Sequence, residues 1–153
     1  MVEWYLPLAD TQRRVFSPSA ARQAEAAVTA DTQHLTPYNL IERLLLPALG
    51  AAARKFANGQ ATVDLARTAI ALERYRLARG EYPEKLDGLA PQFIAEVPHD
   101  VVNGQPLNYR RTANGQFVLY SLGWNEKDDD GEVGLNSNGS VDIRNGDWVW
   151  RYQ

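Results

Sequence analysis

Gly80 and Pro83 constrain this chain more than any other pair of residues. Upstream, Phe56, Val63, Ala66, Ile70 and Leu77 form one apolar stripe at helical spacing, with Leu65, Ala69 and Leu72 beside it. Asn58-Gly59 is the weak point of that run. Gly80 stands where a helix ends in a left-handed C-cap, and Pro83, three residues on, cannot continue a helix. Beyond the helix the period changes, and after Pro98 the segments have strand composition. The order, helix first and strands afterwards, predicts an α+β fold: a long helix packed on a three- or four-stranded antiparallel sheet, preceded by a mostly helical segment.

The flanking signals fill in this plan. Ser17-Pro18 reads as an N-cap followed by Pro at the first helical position, opening a short Ala-rich helix to about Ala30. Thr36-Pro37 repeats the signal ahead of Leu40, Ile41, Leu44 and Leu45, and Pro47 is expected to kink or end that piece. Leu86 and Leu89 predict a short helical turn between Pro83 and Pro91. Leu107 to Arg111 and Gln116 to Leu122 have strand composition and are joined through Asn114-Gly115, a hairpin signal. A third strand is expected near Ser140 to Arg144. In a last one Trp148, Trp150 and Tyr152 share a face that the helix would bury.

With 153 residues the chain is the size of one domain and can build its own core. It has no Cys, which excludes disulfides, thiolate zinc sites and Cys nucleophiles. The net charge of -3 hides an asymmetry. Residues 1 to 80 carry 10 Lys/Arg and 7 Asp/Glu, whereas residues 81 to 153 carry 6 and 12. The basic residues lie along a helix with carboxylates among them, so no nucleic-acid partner is expected. The uncharged run from Leu44 to Ala53, which no other in the first half exceeds, is too short to span a bilayer core, which takes about 20 residues. Seven carboxylates fall between Glu126 and Asp147 against Lys127 and Arg144. Such a block is either a solvated loop or a cation site.

Leu72-Glu73-Arg74-Tyr75-Arg76-Leu77 followed by Glu81-Tyr82-Pro83, then Leu86, Leu89, Pro91-Gln92-Phe93-Ile94, Val97-Pro98-His99-Asp100 and Asn103-Gly104-Gln105-Pro106-Leu107-Asn108-Tyr109, form an ordered series of landmarks. Tyr120-Ser121-Leu122-Gly123 and Asp142-Ile143, with a Trp shortly after, complete it. In this order they resemble the C-terminal domain of the major pseudopilin of the type II secretion system, within the type IV pilin-like superfamily. The resemblance covers roughly half the chain. It implies a non-catalytic structural subunit or domain of the periplasm or cell envelope, engaged in protein transport and acting through contacts with other pseudopilin-like subunits or with the rest of a longer parent protein. A membrane would be reached only through a segment not present in this chain.

The resemblance also implies a calcium site at the end of the second hairpin strand. By position, the Leu122 carbonyl and Asp142 match, while Asn125 replaces the usual Asp and so removes one negative charge. Asp128 and Asp130 complete the expected ligands, with Asp129 and Glu132 nearby; calcium takes 6 to 8 oxygens from such mixtures. An EF-hand reading fits poorly, because Ser137 stands where the bidentate Glu belongs.

The resemblance leaves residues 1–60 unexplained. Tyr38-Asn39-Leu40-Ile41-Glu42 echoes the opening of such proteins, but Arg43 follows at once and Pro47 interrupts the apolar run. The expected division is therefore a helical segment, 1–60, the tail of a longer parent, and a pseudopilin-like domain, 61–153. No catalytic residue is expected. His34 and His99 come without a nucleophile motif or a partner His and are read as solvated loop residues, and Glu73 is expected to pair with Arg76. The alternative is an extracytoplasmic module that binds carbohydrate or protein through Trp4, Trp124, Trp148 or Trp150.

Overall fold

A computed structural model describes residues 9–31 and 37–151, the side chains of 28–44 and 46 excepted. Trp4, His34 and Tyr152 lie outside the described residues. Among the described residues the architecture is α+β, with two α-helices and three small antiparallel sheets.

A short hairpin, β1 (Ala9–Asp10) and β2 (Val15–Phe16), precedes α1 (Pro18–Asp31). The Ser17 hydroxyl accepts the Ala20 N–H at 3.2 Å, the N-cap that Ser17-Pro18 predicts. The second helix, α2 (Pro37–Arg79), runs for 43 residues with Pro47 inside it. The helix does not end at Pro47, as it would if the ring stopped it: the exposed ring removes one internal hydrogen bond, and helix is assigned on both sides of it. It is also continuous across residues 60 and 61. Phe16 donates its N–H to the Val101 carbonyl at 2.7 Å, so the N-terminal hairpin is tied to the sheet half of the chain.

Gly80 ends α2 at a φ of 85°, donating its N–H to the Arg76 carbonyl at 2.7 Å. Tyr82 folds back over the helix end and donates its hydroxyl to Glu73, which also pairs with Arg76 at 2.9 Å. A 3-10 turn at Leu86–Leu89 buries both leucines.

The hairpin β3 (Asn108–Arg111) and β4 (Phe117–Ser121) forms where Asn114-Gly115 predicts it. The single three- or four-stranded sheet, however, is divided. The Val141–Gly146 strand (β6) pairs with Val133–Leu135 (β5) in a separate two-stranded sheet. The third member of the main sheet is instead β7 (Trp148–Val149), which lies against β4 to give the order β3-β4-β7.

Among the described residues the core has two parts. Leu65, Ala69, Leu72, Tyr82, Leu89, Phe93, Phe117 and Leu119 pack around the C-terminal half of α2. Ala21, Ala57, Ala61, Val101, Trp124 and Trp148 pack around its middle. Alanines on the buried face let the other elements approach α2 closely. No helix among the described residues is long and apolar enough to cross a membrane.

Candidate functional site

The first five carboxylates of the acidic block lie in a loop, residues 122–132, that leaves β4 and leads into β5, while Asp142 lies on β6 and Asp147 at the β6–β7 junction. Two buried carboxylates shape it. Asp100, 1% exposed, receives three donors: the Val102 N–H (2.8 Å) and the Ser121 hydroxyl (2.9 Å) at Oδ1, and the Leu122 N–H (2.9 Å) at Oδ2. It thus fixes the start of the loop at the end of β4.

Asp147 fixes the other end. Its Oδ2 accepts the N–H groups of Gly131 (2.8 Å) and Asp129 (3.1 Å), and its own N–H donates to the Glu132 carbonyl at 2.8 Å. The side chain is fully buried, and Oδ1 has no hydrogen-bond partner among the described residues. Burial pushes its carboxyl up to about 6. The neighbouring charges of Asp128 and Asp129 add to that rise, against the two amide hydrogen bonds. A buried, negatively polarised oxygen without a donor is costly unless a proton or a cation meets it.

The other loop residues are arranged around this pair. Asp128 Oδ1 accepts the Tyr120 hydroxyl and the Asp130 N–H, each at 3.0 Å. Burial and the Asp128 hydrogen bond push Tyr120 up to about 12, so it remains a donor at neutral pH. Asn125 donates its amide to Asp129 Oδ2 at 2.8 Å. Arg22 on α1 donates to the Trp124 carbonyl at 3.1 Å and pairs with Glu126, so the first helix also clasps the loop.

The five residues expected as ligands therefore have distinct settings. Leu122, Asn125 and Asp128 belong to the loop around Asp147. Asp130 is exposed, and its main-chain carbonyl accepts from Arg110 at 3.1 Å. Asp142 lies on β6, where Arg144 donates to Oδ1 from Nε and to Oδ2 from Nη2, both at 2.9 Å; those hydrogen bonds hold its carboxyl down to about 2. No group of three or more His, Asp or Glu side chains among the described residues is close enough to hold a metal ion. A cation would fit best at the unpartnered Asp147 oxygen, with Asp128 and Asp129 as the nearest charges. In the sequence Asp147 stands out only as part of the acidic surplus. Its signal was a lone carboxylate between Gly146 and Trp148, at the start of an aromatic strand.

The remaining candidates are placed as follows. Trp124 and Trp148 are buried, 6% and 4% exposed, and Trp150 is half-buried against the core. His99 is half-buried, beside the bridge it makes with Pro106, and its Nε2 has no hydrogen-bond partner among the described residues. It lines an open pocket of about 760 Å³ with Asp64, Arg67 and the β1–β2 hairpin. Asp64, buried in α2, receives the Gln60 amide at 2.9 Å. Comparison of the chain with family models, curated proteins and solved structures finds no match.

Proposed function

We propose that this chain is a non-catalytic structural domain similar to the pseudopilins of type II secretion, working outside the cytoplasm through contacts with other proteins. The observation that carries this reading is the division of α2 into two apolar faces. One face forms the core, and the other presents Leu45, Leu49, Phe56, Val63, Ile70 and Leu77 to solvent, each about half exposed or more. An exposed apolar stripe of this extent is a protein-interaction surface on a soluble domain.

Calcium has a mechanical role in this reading. It would be held by loop oxygens around Asp147, including those of Asp128 and Asn125, and would supply the positive charge that the buried oxygen lacks. The chain's own residues do the rest: Asp100 and Asp147 anchor the two ends of the loop, and Tyr120 orients Asp128.

The alternative, an extracytoplasmic module that binds carbohydrate or protein, needs exposed aromatic rings in its carbohydrate form. Burial of Trp124 and Trp148 disfavours it, since a ring stacks on a sugar only from the surface. The test compares the purified domain with its Val63→Asp/Ile70→Asp variant in light scattering and in a polysaccharide-binding assay. Assembly that the variant loses supports the structural reading; polysaccharide binding shared by both proteins, with no assembly in either, overturns it.

A further inference from the structure

The exposed stripe on α2 has a strict register. Leu49, Phe56, Val63, Ile70 and Leu77 recur every seven residues, and Leu45, Ala52, Gly59, Ala66 and Glu73 follow the same period four residues earlier. These are the two seam positions of a heptad repeat, sustained over about 48 Å of helix at ~1.5 Å per residue. Nothing in the fold requires this period on the outward face. The core is contacted from the other side of the helix, by Ala57, Ala61, Leu65, Thr68 and Leu72.

We infer that this face binds a second copy of the chain, helix against helix and antiparallel, centred near Ala61. The inference rests on the assembly reading above and names its partner. The first seam position is always large, whereas three of the five second positions are Ala or Gly. A parallel pair would stack like on like: Phe56 on Phe56, and Gly59 on Gly59 with a void between. An antiparallel pair sets each large residue against a position of the other kind, so that the layers interdigitate. In the register centred at Ala61, Phe56 meets Ala66 of the second copy, Val63 meets Gly59, Ile70 meets Ala52 and Leu77 meets Leu45. Every large apolar residue except Leu49, which meets Glu73, finds an apolar or small partner.

The flanking charges fit the same register. Lys55, Arg67 and Arg76 lie beside the seam, and in an antiparallel pair they come opposite Ala69, Ala53 and Ala48 of the second copy. Gln60 and Thr62 come opposite themselves. No like charges are juxtaposed, although the helix is basic overall. The arrangement is a two-fold pair, in which one surface complements itself and closes without further growth. Because the core lies on the far side of α2, the β3-β4-β7 sheets of the two copies point away from the contact.

The test uses the absence of Cys, which makes any introduced thiol unique. Sedimentation equilibrium of the full chain should show a dimer that Val63→Asp/Ile70→Asp converts to monomer with its circular dichroism unchanged. Under mild oxidation, Leu45→Cys and Leu77→Cys variants should each stay unlinked alone and form a disulfide-linked pair when mixed. Self-linking of Leu77→Cys would mean a parallel pair and overturn the inference. A chain that is monomeric alone but assembles with a different protein through this face overturns the second-copy inference and leaves the structural reading standing. A chain that assembles with nothing sinks both.

Discussion

Asp147 Oδ2 accepts the Gly131 N–H at 2.8 Å from a position with no solvent exposure, so residues 16 apart in sequence close the acidic loop onto the last strand. The same carboxylate leaves Oδ1 without a partner among the described residues. One group therefore stabilises the loop and imposes a charge that the site must neutralise.

Without metal, stability should depend on pH through Asp147. Its carboxyl is raised to about 6 in the folded chain, against 3.8 ordinarily, so folding favours the protonated form. The contribution is complete below about pH 4 and is lost as pH rises through 6. In the Asp147→Asn variant this slope between pH 4 and 6 should vanish in chelator. Asp142 acts oppositely and in another window: its carboxyl is lowered to about 2, so its contribution is present above 3.8 and is lost as pH falls towards 2. Urea titrations across pH would separate the two, and an unchanged slope in Asp147→Asn would refute the assignment.

Calcium should raise the melting temperature of the parent at pH 7.5, and by less as pH falls through 6, because the ligand must be ionised. Asp147→Asn should abolish the increment. Asp128→Ala should reduce it, and Asp142→Ala, whose carboxylate is engaged by Arg144, should retain most of it. Melting curves with calcium and with chelator give the answer; equal stability of the parent in both would remove the ion from the mechanism.

Asp100→Ala should destabilise the fold by about 3–5 kcal/mol, because it leaves the buried Val102 amide, the half-buried Leu122 amide and the buried Ser121 hydroxyl without their acceptor. Ser121→Ala should cost about 1 kcal/mol, since Asp100 keeps its other two donors. A chemical denaturation series measures both, and similar losses for the two variants would contradict the account.

Gly146→Ala and Gly139→Ala provide a backbone control. Both glycines have positive φ, 68° and 76°. A Cβ at Gly146 would lie 2.0 Å from the Gly134 nitrogen, whereas one at Gly139 meets nothing within 4 Å. The Gly139 change should cost about 1 kcal/mol, and the Gly146 change should cost several times more and open the β5–β6 pairing. Thermal melts of equal height would show that the two strands do not approach as closely as described.

Leu119→Ala, at a fully buried position in β4, should lose about 2–5 kcal/mol. Leu77→Ala, 76% exposed, should change the stability of the monomer by about 0.5 kcal/mol or less. Measured at low protein concentration, this contrast distinguishes the core face of α2 from its outward face.

Features that depend on neighbours along the chain can be read from a few consecutive residues. Ser17-Pro18 marks the start of α1, Pro37 that of α2, Gly80 and Pro83 the end of α2, and Asn114-Gly115 the hairpin. Each is set by local dihedral preference and capping, which a few residues fix on their own. The tertiary structure alone decided which apolar stripe of α2 is buried, because periodicity identifies a face without saying what covers it. The stripe through Leu65, Ala69 and Leu72 packs inward, and the one through Phe56, Val63, Ile70 and Leu77 faces out. Strand partnership was equally beyond local reading: Val141–Gly146 pairs with Val133–Leu135, leaving the place beside β4 to Trp148–Val149. That exchange carries Asp147 into the interior. A carboxylate that reads as one more charge in an acidic run becomes buried because strands distant in sequence close around it.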